Sequence, residues 1–131
     1  MSVVGHGIDL VAVAELQLWI DDPRDPFTQR CFRQAELDSI GSGPNRIERL
    51  AGRFAAKEAV LKALGVGFGD GVAFSDVEIT QKSSGPPEVV LHGGAAIAAN
   101  ERRVAKWLLS ISHERGMAIA SAIALDNTAA A

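Results

Sequence analysis

The chain has 131 residues, 13 of them Lys or Arg and 16 Asp or Glu, for a formal net charge of −3. That length is one domain's worth, with no room for two independent cores, and 47% hydrophobic with 22% charged residues excludes a disordered, collagenous or coiled-coil chain. The acidic balance argues against nucleic acid as a partner, and the absence of a ~20-residue apolar run or a leader-like start argues against membrane insertion and secretion.

Val3 to Val11 is β-branched and punctuated by glycine, which predicts a first strand, and Val13 to Ile20 predicts a helix. The run Asp21-Asp22-Pro23-Arg24-Asp25-Pro26 breaks the chain, and a short helix is expected over Phe32 to Ile40, ended by Gly41-Ser42-Gly43-Pro44. Asn45 to Leu64 reads as one long helix, with Asn45 as its N-cap and Gly65 as the glycine that stops it. Val77 to Thr80 and Glu88 to Leu91 read as hairpin strands around Ser83-Ser84-Gly85-Pro86-Pro87. An Ala-rich helix is expected over Gly94 to Ala105, then strands Trp107 to Ser112 and Met117 to Leu125 joined by His113-Glu114-Arg115-Gly116.

In the last strand Met117, Ile119, Ile123 and Leu125 share one face, and Ala118, Ala120, Ala122 and Ala124 the other. Such an Ala face admits close approach by a helix or by a neighbouring subunit's sheet. With 21 Ala and seven aromatic residues the core is thin, so self-association is expected. One domain over residues 1–126 and a frayed tail over 127–131 complete the outline. The lone Cys31 has no disulfide or CxxC partner, which fits a reducing cytoplasm and rules out a Cys-based zinc cluster.

On the long helix, at ~100° per residue and with Leu50 set to 0°, Phe54 falls near ~40°, Leu61 near ~20° and Leu64 near ~320°. Lys57 lands near ~340°, inside that apolar stripe, so its ammonium either pairs with a buried anion or snorkels to water. Glu58 and Lys62 lie at the stripe's border, one turn apart, and as a plain i,i+4 pair they contribute only about 0.2 to 0.5 kcal/mol. Arg46, Arg49, Arg53, Lys57 and Lys62 stand against only Glu48 and Glu58, a local charge of +3 that suits a phosphate cradle. Asp9 is a carboxylate inside the apolar run Gly7-Ile8-Asp9-Leu10-Val11, which is costly unless it is paired, hydrogen-bonded or bound to a cation. If Asp9 and Glu58 converge, they offer the one or two carboxylates that Mg²⁺ takes from protein while phosphate and water fill its other positions. His113, closing Ser110-Ile111-Ser112-His113, is either an exposed turn residue or a phosphate or proton-transfer group. The glycine run Gly65-Val66-Gly67-Phe68-Gly69-Asp70-Gly71 follows a helix instead of opening one, so a dinucleotide loop is rejected, and no P-loop is present.

Three segments, Gly7-Ile8-Asp9-Leu10-Val11, Arg53-Phe54-Ala55-Ala56-Lys57-Glu58-Ala59-Val60-Leu61-Lys62-Ala63-Leu64-Gly65 and Ser110-Ile111-Ser112-His113, closely resemble the holo-acyl-carrier-protein synthase family, small bacterial 4′-phosphopantetheinyl transferases. They stand in family order and spacing, and Pro86-Pro87-Glu88-Val89 is a fourth match. The resemblance implies an α+β fold, a small antiparallel sheet wrapped by a long central helix and shorter helices, assembled as a homotrimer with interfacial active sites. It implies transfer of phosphopantetheine from coenzyme A to a serine of apo acyl carrier protein, releasing 3′,5′-ADP in fatty acid biosynthesis. By the same resemblance Asp9 and Glu58 hold Mg²⁺, with Mn²⁺ as the alternative ion, and Lys62 neutralises the pyrophosphate; Asp9, Glu58 and Lys62 form the catalytic set. Arg53 and His113 hold the ADP part, with Gly65 and Pro86 lining the pocket. The serine's base is left open among Glu58, a metal-bound water and Glu114. One departure concerns the first helix, which is basic in many family members: Val13 to Leu18 has no Lys or Arg, and Arg24, Arg30 and Arg33 are the expected substitutes for docking the carrier. The competing readings are a non-catalytic nucleotide-binding module and a structural oligomer in which Glu58 and Lys62 form only a salt bridge.

Overall fold

A computed structural model describes residues 1–67 and 69–128. Its elements are β1 (Val3–Ala12), α1 (Val13–Asp21), α2 (Phe27–Cys31), α3 (Gln34–Ile40), α4 (Arg46–Leu64), a 3-10 turn (Phe74–Asp76), β2 (Val77–Thr80), β3 (Glu88–Leu91), α5 (Gly93–Glu101), β4 (Val104–Glu114) and β5 (Met117–Asp126). Strands β1, β5 and β4 form an antiparallel sheet in that order, and β2 and β3 form a separate hairpin. The expected α+β class and the small antiparallel sheet around a long helix are therefore present.

Alternation along β1 turns Gly5, Gly7, Asp9 and Val11 toward α4 and leaves His6, Ile8 and Leu10 on the outer face. A Cβ on Gly5 or Gly7 would run into the carbonyl oxygens of Ala63 and Ala59, so only glycine lets the strand backbone lie directly on the helix. From the middle strand, Ala118, Ala120, Ala122 and Ala124 are all buried beneath α4, which packs on both β1 and β5. Of the two partners that an Ala face admits, the helix is the one that uses it.

The other side of α4 is closed by α2, α3 and the β2–β3 hairpin. Trp19, Phe27, Phe32, Phe54 and Phe74 meet there, with ring centroids 5.1–6.4 Å apart in tilted and edge-on pairs. Lys57 is fully buried in this layer. Its Nζ donates to Glu36 Oε1 (2.7 Å), to the Val77 carbonyl and to the Phe74 carbonyl (3.3 Å), and lies 5.2 Å from the Phe32 ring centroid. Glu36 also accepts from the Ile79 and Arg33 backbone N–H groups. Of the two fates open to Lys57, it takes the buried ion pair, with all three of its N–H donors engaged.

Three boundaries differ from the sequence expectation. The helix expected over Phe32 to Ile40 starts two residues later, at Gln34, because Phe32 is extended (φ −118°, ψ 141°) and buries its ring, and Glu36 reaches back to the Arg33 N–H to open α3; the short α2 before it was not expected. α5 stops at Glu101 instead of Ala105, where Arg103 takes φ 59° and turns the chain into β4. β4 thus begins three residues before the expected Trp107. Asn45 precedes α4 but makes no side-chain cap, whereas Gly65 ends it in the left-handed region (φ 70°) as expected. At the C-terminus, Asp126 Oδ1 accepts from Ser2 N–H and from the Thr128 N–H and hydroxyl; residues 129–131 of the expected tail lie outside the described residues.

Candidate active site

The glycine-mediated contact between β1 and α4 decides where Asp9 stands: two residues beyond Gly7 and on the same face, its carboxylate arrives at the helix turn that carries Glu58 and Lys62. Lys62 Nζ donates to Asp9 Oδ1 (2.9 Å) and to the Ile8 carbonyl (3.1 Å), and the Asp9 and Glu58 carboxyls are in hydrogen-bonding contact. Burial, then the Asp9 charge and that hydrogen bond, push the Glu58 pKa up to about 7, with Lys62 opposing them. Two acids and one ammonium thus share a half-buried spot short of positive charge. Among the described residues no group of three or more His, Cys, Asp or Glu is clustered.

Two of the openings formed by the described residues reach Glu58. One, of about 140 Å³, is walled by Leu61, Lys62, Val66, Gly67, Val72 and Phe74. The other, of about 220 Å³, is walled by Trp19, Asp25, Phe27, Arg30, Phe54 and Phe74.

Arg53 and His113 meet elsewhere. They share a cleft of about 210 Å³ with Arg49, Gly52, Gln81, Pro87 and Ile111. Arg53 is buried and donates from Nη1 to the Ile79 carbonyl (2.8 Å), and burial lowers the pKa of its guanidinium. The His113 Nε2–H donates to the Glu48 carbonyl (2.8 Å). That bond requires Gly52, since a Cβ there would sit 2.6 Å from His113 Nε2. A glycine inside a long helix was the available signal for this close approach.

The remaining expected residues spread further. Gly65 ends α4 with the Arg102 guanidinium against it. Pro86 lies on an open groove with Pro87, Lys106 and Trp107. Glu114 is the last residue of β4, beside Arg115, with β5 between its strand and Asp9. Of the three downstream arginines, Arg24 pairs with Asp22 (3.2 Å), Arg30 pairs with Asp25 (3.0 Å), and Arg33 donates to the Ser75 carbonyl (2.7 Å). Sequence reading did not single out Gly52, Gln81, Val72 or Phe74.

The model of the 4′-phosphopantetheinyl transferase superfamily matches residues 5–120. The chain belongs to that superfamily. Among the superfamily's curated members, the holo-[acyl-carrier-protein] synthase of Desulforudis audaxviator is 43% identical over 123 residues, covering 94% of this chain and 93% of the relative. The synthase of Solibacter usitatus is 38% identical over 125 residues, covering 95% and 99%. Among solved structures, the ACPS–CoA complex of Chronobacterium ammoniagenes superposes with a TM-score of 0.83 at 28% identity, covering 98% of this chain and 100% of that one. The family resemblance carried by Gly7–Val11, Arg53–Gly65 and Ser110–His113 is thereby established.

Proposed function

We propose that this chain transfers the 4′-phosphopantetheine group of coenzyme A to a serine hydroxyl of apo acyl carrier protein, giving holo carrier and 3′,5′-ADP. The observation that carries this reading is the meeting of Asp9, Glu58 and Lys62, supported by relatives named as holo-[acyl-carrier-protein] synthases and by a structural neighbour solved with CoA.

The donor set fits Mg²⁺. Two touching carboxyls, one of which holds its proton to about pH 7, are the pair that a divalent cation would relieve. A two-acid site without further protein ligands suits an ion that keeps water and substrate phosphate in its shell. Asp9 and Glu58 would hold the ion, with Mn²⁺ as the alternative. When bound, it supplies charge neutralisation at the diphosphate oxygens. Lys62 places an ammonium beside the same oxygens, where it counters the charge that builds on the leaving phosphate. Glu58, freed of its proton, accepts a hydrogen bond from the serine hydroxyl and is the base of choice among the chain's own groups, since it lines both openings. Arg53 and His113 bind the ADP portion, the Arg as a fork and the His as a donor, with Gly65 and Pro86 lining its path.

The chain works as a cytoplasmic homotrimer. The outer sheet face carries Ile8 (51% exposed) and Leu10 (59%) beside Leu108 and Ile119, an apolar surface that a neighbour would cover. The Arg53 cleft and the Glu58 openings leave α4 in different directions, so a single bound nucleotide spans them most readily across two copies. The deciding experiment is mass spectrometry of apo acyl carrier protein incubated with this protein, coenzyme A and Mg²⁺. A gain of one phosphopantetheine is expected; an unchanged carrier mass refutes the reading.

A further inference from the structure

Strand β2 has a strand partner on one edge only, since it and β3 form a sheet of two. Their ladder opens on the bond from His92 N–H to the Asp76 carbonyl and continues through the pairs Glu78 with Val90 and Thr80 with Glu88. Alternation therefore turns the backbone groups of Val77 and Ile79 to the other edge. Both residues are fully buried, and a buried edge must have its N–H and C=O groups satisfied. Val77 N–H donates to the Phe74 carbonyl, and the Val77 carbonyl accepts from Lys57 Nζ. Ile79 N–H donates to Glu36 Oε2 (3.0 Å), and the Ile79 carbonyl accepts from Arg53 Nη1 (2.8 Å). Three charged side chains from α3 and α4 thus stand where a neighbouring strand would.

Glu36 joins them. Its Oε1 accepts from Lys57 Nζ (2.7 Å) and from the Arg33 N–H (2.9 Å), which fixes the carboxylate and leaves Oε2 to Ile79. The same Ile79 peptide edge holds the Arg53 guanidinium, at the wall of the cleft that Arg53 shares with Gln81, Pro87 and His113. The Glu36 charge also reaches Arg53, opposing the drop in pKa that burial and Arg49 impose on the guanidinium. We propose that Glu36 is a positioning residue for the nucleotide end of coenzyme A: by holding the N–H of Ile79 it sets the carbonyl that aims the Arg53 fork into the cleft. This rests on the transferase reading above, and it gives the buried Glu36–Lys57 pair a task beyond stability.

Replacing Lys57 and Glu36 together removes one positive and one negative charge, so the cleft keeps its net charge and a change in nucleotide affinity reports geometry. Lys57→Met with Glu36→Gln leaves an amide oxygen for the Ile79 N–H, whereas Lys57→Met with Glu36→Leu leaves none. In calorimetry with 3′,5′-ADP the Gln pair is expected to bind within about twofold of wild type and the Leu pair about tenfold more weakly, the scale of one misplaced charge-assisted hydrogen bond. In an Arg53→Ala background that gap is expected to close, because the effect runs through Arg53. A merely structural pair predicts no gap. Equal affinities of the two pairs with Arg53 present, or the same gap without it, overturn the proposal. Should the Leu pair fail to fold, amide exchange of the wild type decides: under saturating 3′,5′-ADP the Ile79 N–H is expected to slow about tenfold more than the β1–β5–β4 ladder as a whole, and an Ile79 rate that ignores the nucleotide overturns the proposal. Wild-type transfer to apo acyl carrier protein is scored in parallel, so failure of the transferase reading is seen separately from failure of this one.

Discussion

At the scale of single residues, Glu58 and Lys57 are neighbours in sequence with opposite fates. Glu58 keeps its proton to about pH 7 in the folded chain, against an ordinary value of 4.5. The folded state therefore binds more protons than the unfolded one between those values, and metal-free stability falls as pH rises from about 4.5 to about 7, then levels. Thermal melts of the metal-free protein, wild type against Glu58→Gln, are expected to show a Tm difference that moves through this window; a pH-independent difference contradicts the assignment. Mg²⁺ competes with the same proton, so calorimetric affinity is expected to rise as pH passes 7. Lys57 is a structural cation. Glu36→Gln leaves its ammonium in the core without a counter-charge and is expected to cost about 3 to 5 kcal/mol in denaturant unfolding, whereas the joint replacement Lys57→Met with Glu36→Leu is expected to recover most of that loss.

At the scale of elements, the contact of β1 with α4 sets the carboxylate cluster. Gly7→Ala would press a methyl group into the Ala59 carbonyl, and relief requires the strand to lift off the helix, carrying Asp9 away from Glu58. A stability loss of about 2 kcal/mol or more is expected, together with weaker Mg²⁺ binding; a variant with wild-type metal affinity would show that the strand is not what places Asp9. This contact was legible in advance only in part. An acid in an apolar strand and a Glu on the border of an apolar stripe are both visible in a one-dimensional pattern, because each violates the period of its own element. Glu36, the partner of Lys57, violates nothing: it is one of two acids on a short polar helix, and only the packing of α3 against β2 reveals it. The later start of the helix, at Gln34 instead of Phe32, was hidden for a related reason, since burial of the ring against Phe27 overrides a locally helical pattern. Arg103, in the left-handed region at φ 59°, occupies a place where sequence rules look for Gly or Asn, so the end of α5 was read late.

At the scale of the whole molecule, the outer face of the β1–β5–β4 sheet predicts assembly. Ile8→Asp and Leu10→Asp together are expected to convert the proposed homotrimer to monomers in analytical ultracentrifugation and to abolish transfer while the monomer's fold, read by far-UV circular dichroism, persists. Complementation tests the same claim from the other side. Glu58→Gln and Arg53→Ala chains, each inactive alone, are expected to regain part of the activity when mixed and allowed to exchange subunits, because a pocket then draws its intact half from each. Mixtures that stay inactive would mean that one copy builds the entire pocket.

Arg53 and Glu58 are five residues apart on a single rigid rod, about 140° around its axis, with Lys57 pinning the rod between them. Neither side chain can be re-aimed by rotating or sliding α4 without displacing the other by a comparable amount. In the proposed assembly each α4 lends Glu58 to one pocket and Arg53 to the next, so displacing one helix would disturb two sites at once, and variation in what is accepted is expected in the loops and strands that face the helix.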